Sequence, residues 1–174
     1  MSCITQILKL KGDKEFFVPE GSFHAIEGGG VYRDYEYLVT LVPHGGRCGY
    51  VAIPPHHEYS NLKENDYDAP NIECHGCITF VSKEHSLKDY LTIPCSDMWI
   101  GFDCSHYGDS PDKVNAVKYF GKEVDSELFW FGQHFEKLIS SCDEDVGEVC
   151  KIRDYSYVEN ECKSIIDQLI SLEN

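Results

Sequence analysis

Two hydrophobic periodicities, separated along the chain, constrain the fold most strongly. The first two-thirds contains short segments rich in β-branched and aromatic residues, each bounded by Gly, Pro, Asn or Asp, which is typical of strands. Apolar residues at helical spacings of three and four occur only later. Because strands come first and helices follow, the pattern predicts an α+β fold with a central, mostly antiparallel sheet. The predicted strands are Ile4–Leu10, Tyr35–Val42, Tyr50–Ile53, Ile72–Val81 and Met98–Cys104.

The carboxy-terminal segment has the clearest helical pattern. Ser156 and Glu159 have the spacing of a capping box, and an apolar stripe follows them. We predict that this amphipathic helix covers the sheet, and that additional helices run from Ser110–Asp112 to about Phe120 and over residues 126–142. The whole chain, residues 1–174, is then a single domain. The stripe consists of Val158, Cys162, Ile165, Leu169 and Leu172.

Charge and composition exclude several classes of function. The 174 residues include 30 acids and 15 Lys or Arg, for a formal charge of −15, which repels phosphate backbones and argues against direct nucleic-acid binding. No apolar run is long enough to span a membrane, and the amino terminus lacks the apolar core of a signal peptide, so a cytoplasmic location is expected. Nine cysteines are an odd number, and a disulfide framework is disfavoured; most are expected to be free buried thiols.

The partner that this charge predicts is a basic protein surface. The acids of the helical part concentrate just before its last helix, and the polar face of that helix carries more. An ordinary solvated face is the alternative interpretation. The predicted partner-binding residues are Asp143, Glu144, Asp145 and Glu148.

The glycine run Gly28–Gly30 resembles a phosphate-binding loop only superficially. No Lys-Ser or Lys-Thr follows it, so we interpret it as a flexible turn.

Histidines cluster near predicted strand ends, together with thiols and carboxylates. His57 follows a Pro-Pro pair, His75 lies within Cys74–Cys77, and His106 follows Asp103, with Asp109 three residues later. Imidazole, thiolate and carboxylate are the ligands of zinc, which leads to a predicted metal site. The predicted ligands are His57, His75, Asp103 and His106.

Alternatives to this ligand set remain open. In a regular strand Cys74 and Cys77 point to opposite faces, which favours His75 over the paired thiols as a ligand. His75 could equally be a core histidine satisfied by hydrogen bonds. Asp103 could orient a ligating histidine rather than bind the metal, and Cys104 could pack inward beside Phe102 or replace Asp103. A cysteine nucleophile activated by a histidine is a further alternative.

A structural zinc closed by four protein ligands is favoured over a catalytic zinc that keeps a water position. The chain contains no HExxH motif with a general-base glutamate. A zinc-dependent hydrolase acting on a phosphodiester, nucleotide or peptide is therefore the alternative function, and we favour a protein that is not an enzyme.

Three motifs give the chain a resemblance to a family of small phage-encoded proteins, and with the closing helix they span most of the domain. The middle motif of that family usually looks like His-Gly-Gly-Leu-Thr, so His75 and Gly76 match it and Cys77 departs from it. The segment 113–150 looks like a helical insertion specific to this branch. The motifs are Gly49–His57, Glu73–Phe80 and Trp99–His106.

The resemblance implies a phage or mobile-element origin rather than an activity. Small acidic phage proteins include many inhibitors of host defence, and anti-CRISPR proteins that contain metal are similar in size. By this analogy of class, the chain is expected to be an anti-CRISPR protein in the host cytoplasm that binds a basic surface of a Cas9-type nuclease and blocks its engagement with nucleic acid.

Overall fold

A computed structural model describes residues 7–9, 15–17, 24–63, 65–67, 71–83, 98–121 and 151–173. Within these ranges a five-stranded antiparallel sheet is covered on one face by the carboxy-terminal helix. The predicted α+β class and the predicted position of that helix are confirmed. Among the described residues, no helix combines the length and apolar character needed to cross a membrane.

The main sheet has the strand order β3-β4-β5-β7-β6, and each neighbouring pair is antiparallel. A separate hairpin is formed by β1 and β2, and two short strands, β8 and β9, pair in parallel. The strands are β1 (Ile7–Lys9), β2 (Glu15–Phe17), β3 (Ala25–Tyr32), β4 (Tyr35–Leu41), β5 (Arg47–Ile53), β6 (Phe80–Ser82), β7 (Met98–Asp103), β8 (Asp109–Ser110) and β9 (Lys151–Ile152); the helices are α1 (Lys113–Phe120) and α2 (Tyr155–Leu172), with a 3₁₀ turn at Glu58–Asn61.

The strand predictions hold best in the centre of the sheet. β4, β5 and β7 confirm the segments that begin at Tyr35, Tyr50 and Met98, and β5 starts three residues earlier than predicted. The predicted strand Ile72–Val81 is wrong over most of its length, because regular pairing begins only at Phe80. Residues 71–79 run as an irregular segment instead, and this segment carries His75.

The glycine run is not a turn, which corrects the prediction for Gly28–Gly30. These residues lie inside β3 and pair with β4 next to a register shift. A β-carbon at Gly28 would lie 2.7 Å from the hydroxyl oxygen of Tyr155. Glycine is therefore required because the Tyr155 ring lies against the strand, where any side chain would collide with it.

The helix α2 begins two residues earlier than the sequence indicates. Its cap is Asp154, whose carboxylate accepts a hydrogen bond from the backbone N–H of Tyr157 at 2.8 Å. The capping box predicted for Ser156 and Glu159 is wrong, since Ser156 is already helical and the Glu159 carboxylate accepts from the Tyr37 hydroxyl. Likewise α1 is capped by Asp112 and not by Ser110. The predicted helix over 126–142 lies outside the described residues.

The core lies between the sheet and α2. Four of the five predicted stripe residues are fully buried, whereas Leu172 is 43% exposed at the end of the helix. All seven residues of β4 are also buried, so both faces of the sheet centre are shielded from water. This burial is the dominant favourable term in folding the chain. The largest buried side chains include Trp99, Phe102, Leu38, Met98, Ile165 and Ile166.

Candidate metal centre

Three chain segments meet at one end of α2 and build the site. These are the irregular segment 71–79, the loop between β7 and β8, and the first turns of α2. The side chain of Gln168 fixes the irregular segment to the helix, because it accepts from the backbone N–H of Glu73 at 2.8 Å and donates to the Glu73 carbonyl at 2.7 Å. Glu161 holds the next part of the segment by accepting from the backbone N–H of His75 at 2.9 Å.

A tight turn places His75 beside His106. The N–H of Cys77 donates to the carbonyl of His75 at 2.9 Å, and Gly76 adopts a positive φ of 70°. A β-carbon at Gly76 would overlap the His106 ring. Both the backbone conformation and the close approach therefore require glycine here. The strand parity used to orient His75 in the sequence does not apply, because the chain turns at this residue.

Asp109 is the centre of the cluster, and its side chain is only 3% exposed. One carboxylate oxygen, Oδ2, lies 2.8 Å from His75 Nε2 and accepts from the backbone N–H of His106 at 2.9 Å. The other oxygen, Oδ1, accepts from Arg153 Nε at 2.8 Å. Burial pushes the pKa of Asp109 upward, but these hydrogen bonds from Arg153, His106 and His75 outweigh it and hold the pKa below its ordinary value. Asp109 is therefore an anion at neutral pH.

The two nitrogens of His75 face different partners. Nε2 faces Asp109, while Nδ1 lies 3.0 Å from the hydroxyl of Tyr157. The Tyr157 ring meets the His75 ring edge-on and carries the Arg153 guanidinium 4.8 Å above its centre. The orientation of His75 is consequently fixed from both sides.

His106 differs from His75 because its ring nitrogen Nδ1 lacks a hydrogen-bond partner. Its Nδ1 is buried and has no hydrogen bond, and it lies 3.8 Å from Asp109 Oδ2, too far for one. The remainder of the side chain is 37% exposed. An unpartnered buried nitrogen is costly, and it therefore points to a missing partner.

One ligand atom from each of His75, His106 and Asp109 lies within 4.8 Å of the others, so this group could hold a metal ion. Ligands about 2.1 Å from a tetrahedral zinc are themselves about 3.4 Å apart. The His75–Asp109 and His106–Asp109 distances of 2.8 and 3.8 Å lie on either side of that value. Shifts of about half an ångström would bring these two distances to the value for a zinc site.

Two of the four predicted ligands, His57 and Asp103, do not belong to this group. The His57 ring is buried far along α2, where Nδ1 accepts from the backbone N–H of Tyr59 at 3.0 Å and Nε2 lies 3.2 Å from the carbonyl of Leu169. Asp103 lies at the end of β7 and accepts from the Thr79 hydroxyl at 3.1 Å. Each is explained by local hydrogen bonding.

Asp109 is the ligand candidate that sequence reasoning missed. The signal was its position three residues after His106, which lets its carboxylate reach back to the His106 backbone N–H. Asp103, three residues before His106, is an equally plausible ligand by spacing alone. Only the turn after β7 determines which carboxylate faces the two histidines.

Four of the thiols, Cys48, Cys74, Cys104 and Cys162, are poor nucleophiles. Burial raises the pKa of Cys74 to about 12, with added repulsion from Glu161 and Cys77. Burial likewise raises the pKa of Cys48 to about 12, and it raises the pKa values of Cys104 and Cys162. These four thiols are protonated at neutral pH, which argues against thiolate catalysis at any of them. Cys104 is buried, in accordance with the inward packing weighed above.

An open groove adjoins the cluster and shares His75 and Tyr157 with it. Its volume is about 600 Å³. The other lining residues come from the irregular segment and from α2: Glu73, Cys74, Glu161, Ser164 and Gln168.

No known protein family, curated protein or solved structure matches the chain. The fold and the cluster define an α+β protein with a histidine–aspartate group able to hold a metal. The resemblance to phage proteins stays a prediction. The predicted partner-binding role also stays a prediction, because its residues lie outside the described part of the chain: Asp143, Glu144, Asp145 and Glu148.

Proposed function

We propose that His75, His106 and Asp109 bind one zinc ion and that the protein is a zinc-dependent hydrolase. The observation that carries the proposal is the buried, unpartnered Nδ1 of His106, which lies beside an anionic carboxylate and a second imidazole. Imidazole nitrogen and carboxylate oxygen together are a ligand set that zinc accepts.

Three described donors match the number of protein ligands in a catalytic zinc site. Among the described residues, the group contains three donors and no fourth His, Cys, Asp or Glu. Zinc sites with three protein ligands keep a fourth position for water, whereas structural sites are closed by four protein ligands. Zinc in such a site lowers the pKa of its bound water and polarises a carbonyl or phosphoryl oxygen.

The surrounding residues have separate roles in this proposal. With Nε2 of His75 on the metal, its Nδ1 carries the proton and donates to the Tyr157 oxygen, which fixes the ring. Arg153 binds Asp109 through Oδ1, and Oδ2, which also accepts from the backbone N–H of His106, is the oxygen that would bind the metal. The groove beside His75 gives a substrate a place to bind next to the ion.

A hydrolysis screen with zinc-loaded and chelator-treated protein tests the proposal. The substrates are fluorogenic amides, esters and phosphodiesters. We expect zinc-dependent turnover of at least one class, lost in His106→Ala and retained in the control His56→Ala, whose side chain is 72% exposed and outside the group. Turnover that survives His106→Ala, or no turnover of any class, would contradict the proposal.

The predicted inhibitor of a Cas9-type nuclease is a second candidate, supported by the net charge of −15. The carboxylates of α2 support it less, because Asp167 pairs with Arg33 and Glu159 pairs with Lys163. The binding charge would therefore come from residues 143–148.

A DNA-cleavage assay with added protein tests the inhibitor candidate. Salt-sensitive inhibition that weakens when the four acids at 143–148 are changed to lysine would support it. Cleavage unaffected by a large excess of the protein would exclude it.

A further inference from the structure

We infer that the groove beside His75 selects a positively charged ligand, namely a peptide with a Lys or Arg side chain, and rejects phosphodiesters. The inference rests on the hydrolase function proposed above and names its substrate class.

The charges that line the groove have a single sign. Glu73 and Glu161 contribute carboxylates, and among the described residues no lysine or arginine lines the groove. The Arg153 guanidinium beside the cluster is already bonded to Asp109 and stacked on Tyr157. Apart from the proposed zinc, a phosphate in this groove would meet two carboxylates and no lysine or arginine among the described lining residues, whereas an ammonium or guanidinium group would be attracted to both carboxylates.

Hydrogen bonds join the walls of the groove without any ligand. Its two walls are residues 73–75 and α2, and the paired bonds between Gln168 and the Glu73 backbone hold them together. The bonds from His75 to Glu161 and to Tyr157 fix the wall next to the cluster. A groove whose walls are already joined loses less entropy on binding than one whose walls must first become ordered. The attraction between the carboxylates and a cationic ligand is therefore not spent on ordering the walls.

The test compares coumarin amides of short peptides that carry Lys, Gln or Glu at the residue before the scissile bond. On zinc-loaded protein at low salt, we expect kcat/KM for the Lys peptide to exceed that for the Gln peptide by about tenfold, which corresponds to one well-placed charge pair in a partly exposed site. The preference should shrink as salt is added.

Glu73→Gln should abolish most of the preference, because it removes a lining charge while leaving the backbone bonds to Gln168 intact. Glu58→Gln is the matched control, since it removes one carboxylate from an exposed turn outside the groove. Equal rates for the three peptides, a preference for Glu, or a preference unchanged in Glu73→Gln would overturn the inference.

Equilibrium binding separates this inference from the proposed function. A dansylated Ala-Lys-Ala peptide is titrated into zinc-loaded protein, with Ala-Gln-Ala and a dinucleotide as comparisons. Preferential binding of the Lys peptide without hydrolysis would contradict the hydrolase function and support the groove inference. Preferential binding of the dinucleotide, or no binding of the Lys peptide, would overturn the inference even where hydrolysis is found.

Discussion

The backbone N–H of His106 donates to Oδ2 of Asp109 at 2.9 Å, while the ring nitrogen Nδ1 of the same histidine stays 3.8 Å from that oxygen. The turn therefore holds the carboxylate against the main chain and leaves Nδ1 of the imidazole without a hydrogen bond. Together with His75, these two groups could hold a metal ion.

Asp109→Asn should weaken zinc binding by at least about 100-fold, because it removes the only anion of the ligand group while keeping its shape. Competition with a zinc chelator measures the affinity. Asp167→Asn is the control, since Asp167 is half-exposed on α2 and pairs with Arg33 away from the group. Equal affinities of the two variants would show that Asp109 is not a ligand.

Acid should destabilise the protein through Asp109 and Asp112. Burial raises the pKa of each, but hydrogen bonds and cationic partners outweigh it and hold both pKa values below their ordinary range. A carboxyl whose pKa is lower in the folded state contributes stability above its unfolded pKa of about 3.9, and this contribution is lost as the pH falls through the folded pKa.

Urea unfolding measures how the stability of the metal-free protein depends on pH. The range from about pH 6 to about pH 3 spans the pKa of an unfolded aspartate. The free energy of unfolding should fall toward the acidic end, and Asp109→Asn and Asp112→Asn should each flatten the curve. A wild-type curve that rises toward low pH would contradict the lowered pKa values.

The sequence predicts the parts of the fold that depend on hydrophobic pattern. The stripe on α2 is recognisable because helical burial needs spacings of three and four, and β4 and β7 are recognisable from their β-branched and aromatic residues. The need for a small residue at Gly28 cannot be predicted in this way, because it depends on the Tyr155 ring, which belongs to a helix more than a hundred residues away. The caps at Asp112 and Asp154 were missed because serine and aspartate are both good caps, and local sequence does not separate them.

The candidate site is only half predictable for a similar reason. His75 and His106 stand out by residue type, and the structure brings them together with ring centroids 5.4 Å apart. His57 stands out equally, yet its ring nitrogens bond to Tyr59 and Leu169. The choice of Asp109 over Asp103 depends on a turn and on a positive φ at Gly76, and neither feature has a periodic signal in the sequence.

Arg47 should be a major source of stability. Its side chain is 2% exposed, and its Nη2 donates to Asp112 at 2.7 Å and to Glu27 at 3.0 Å. Arg47→Met would leave two nearly buried carboxylates without their cation, so we expect a loss of about 3–5 kcal/mol in the free energy of unfolding.

Urea unfolding at neutral pH measures this loss. Arg33→Met is the matched control, because the Arg33–Asp167 pair is about half-exposed and should contribute at most about 1 kcal/mol. Comparable losses in the two variants would contradict the account of Arg47.

Packing of α2 on the sheet is tested by Ile165→Ala. This side chain is fully buried in the core, and its truncation should cost about 2–5 kcal/mol in the free energy of unfolding. Leu172→Ala, at a position that is 43% exposed, should cost far less. Chemical denaturation of both variants measures the difference. Equal losses in the two variants would contradict the packing of Ile165 in the core.

Zinc-edge X-ray absorption on the full chain, with one equivalent of zinc, tests the central claim most directly. The account predicts about four ligands within 2.0–2.2 Å, with two imidazoles, one carboxylate oxygen and one water oxygen, and it predicts that His106→Ala removes one imidazole from the spectrum. A sphere that contains sulfur at about 2.3 Å, a spectrum unchanged by His106→Ala, or protein that binds no zinc would contradict it.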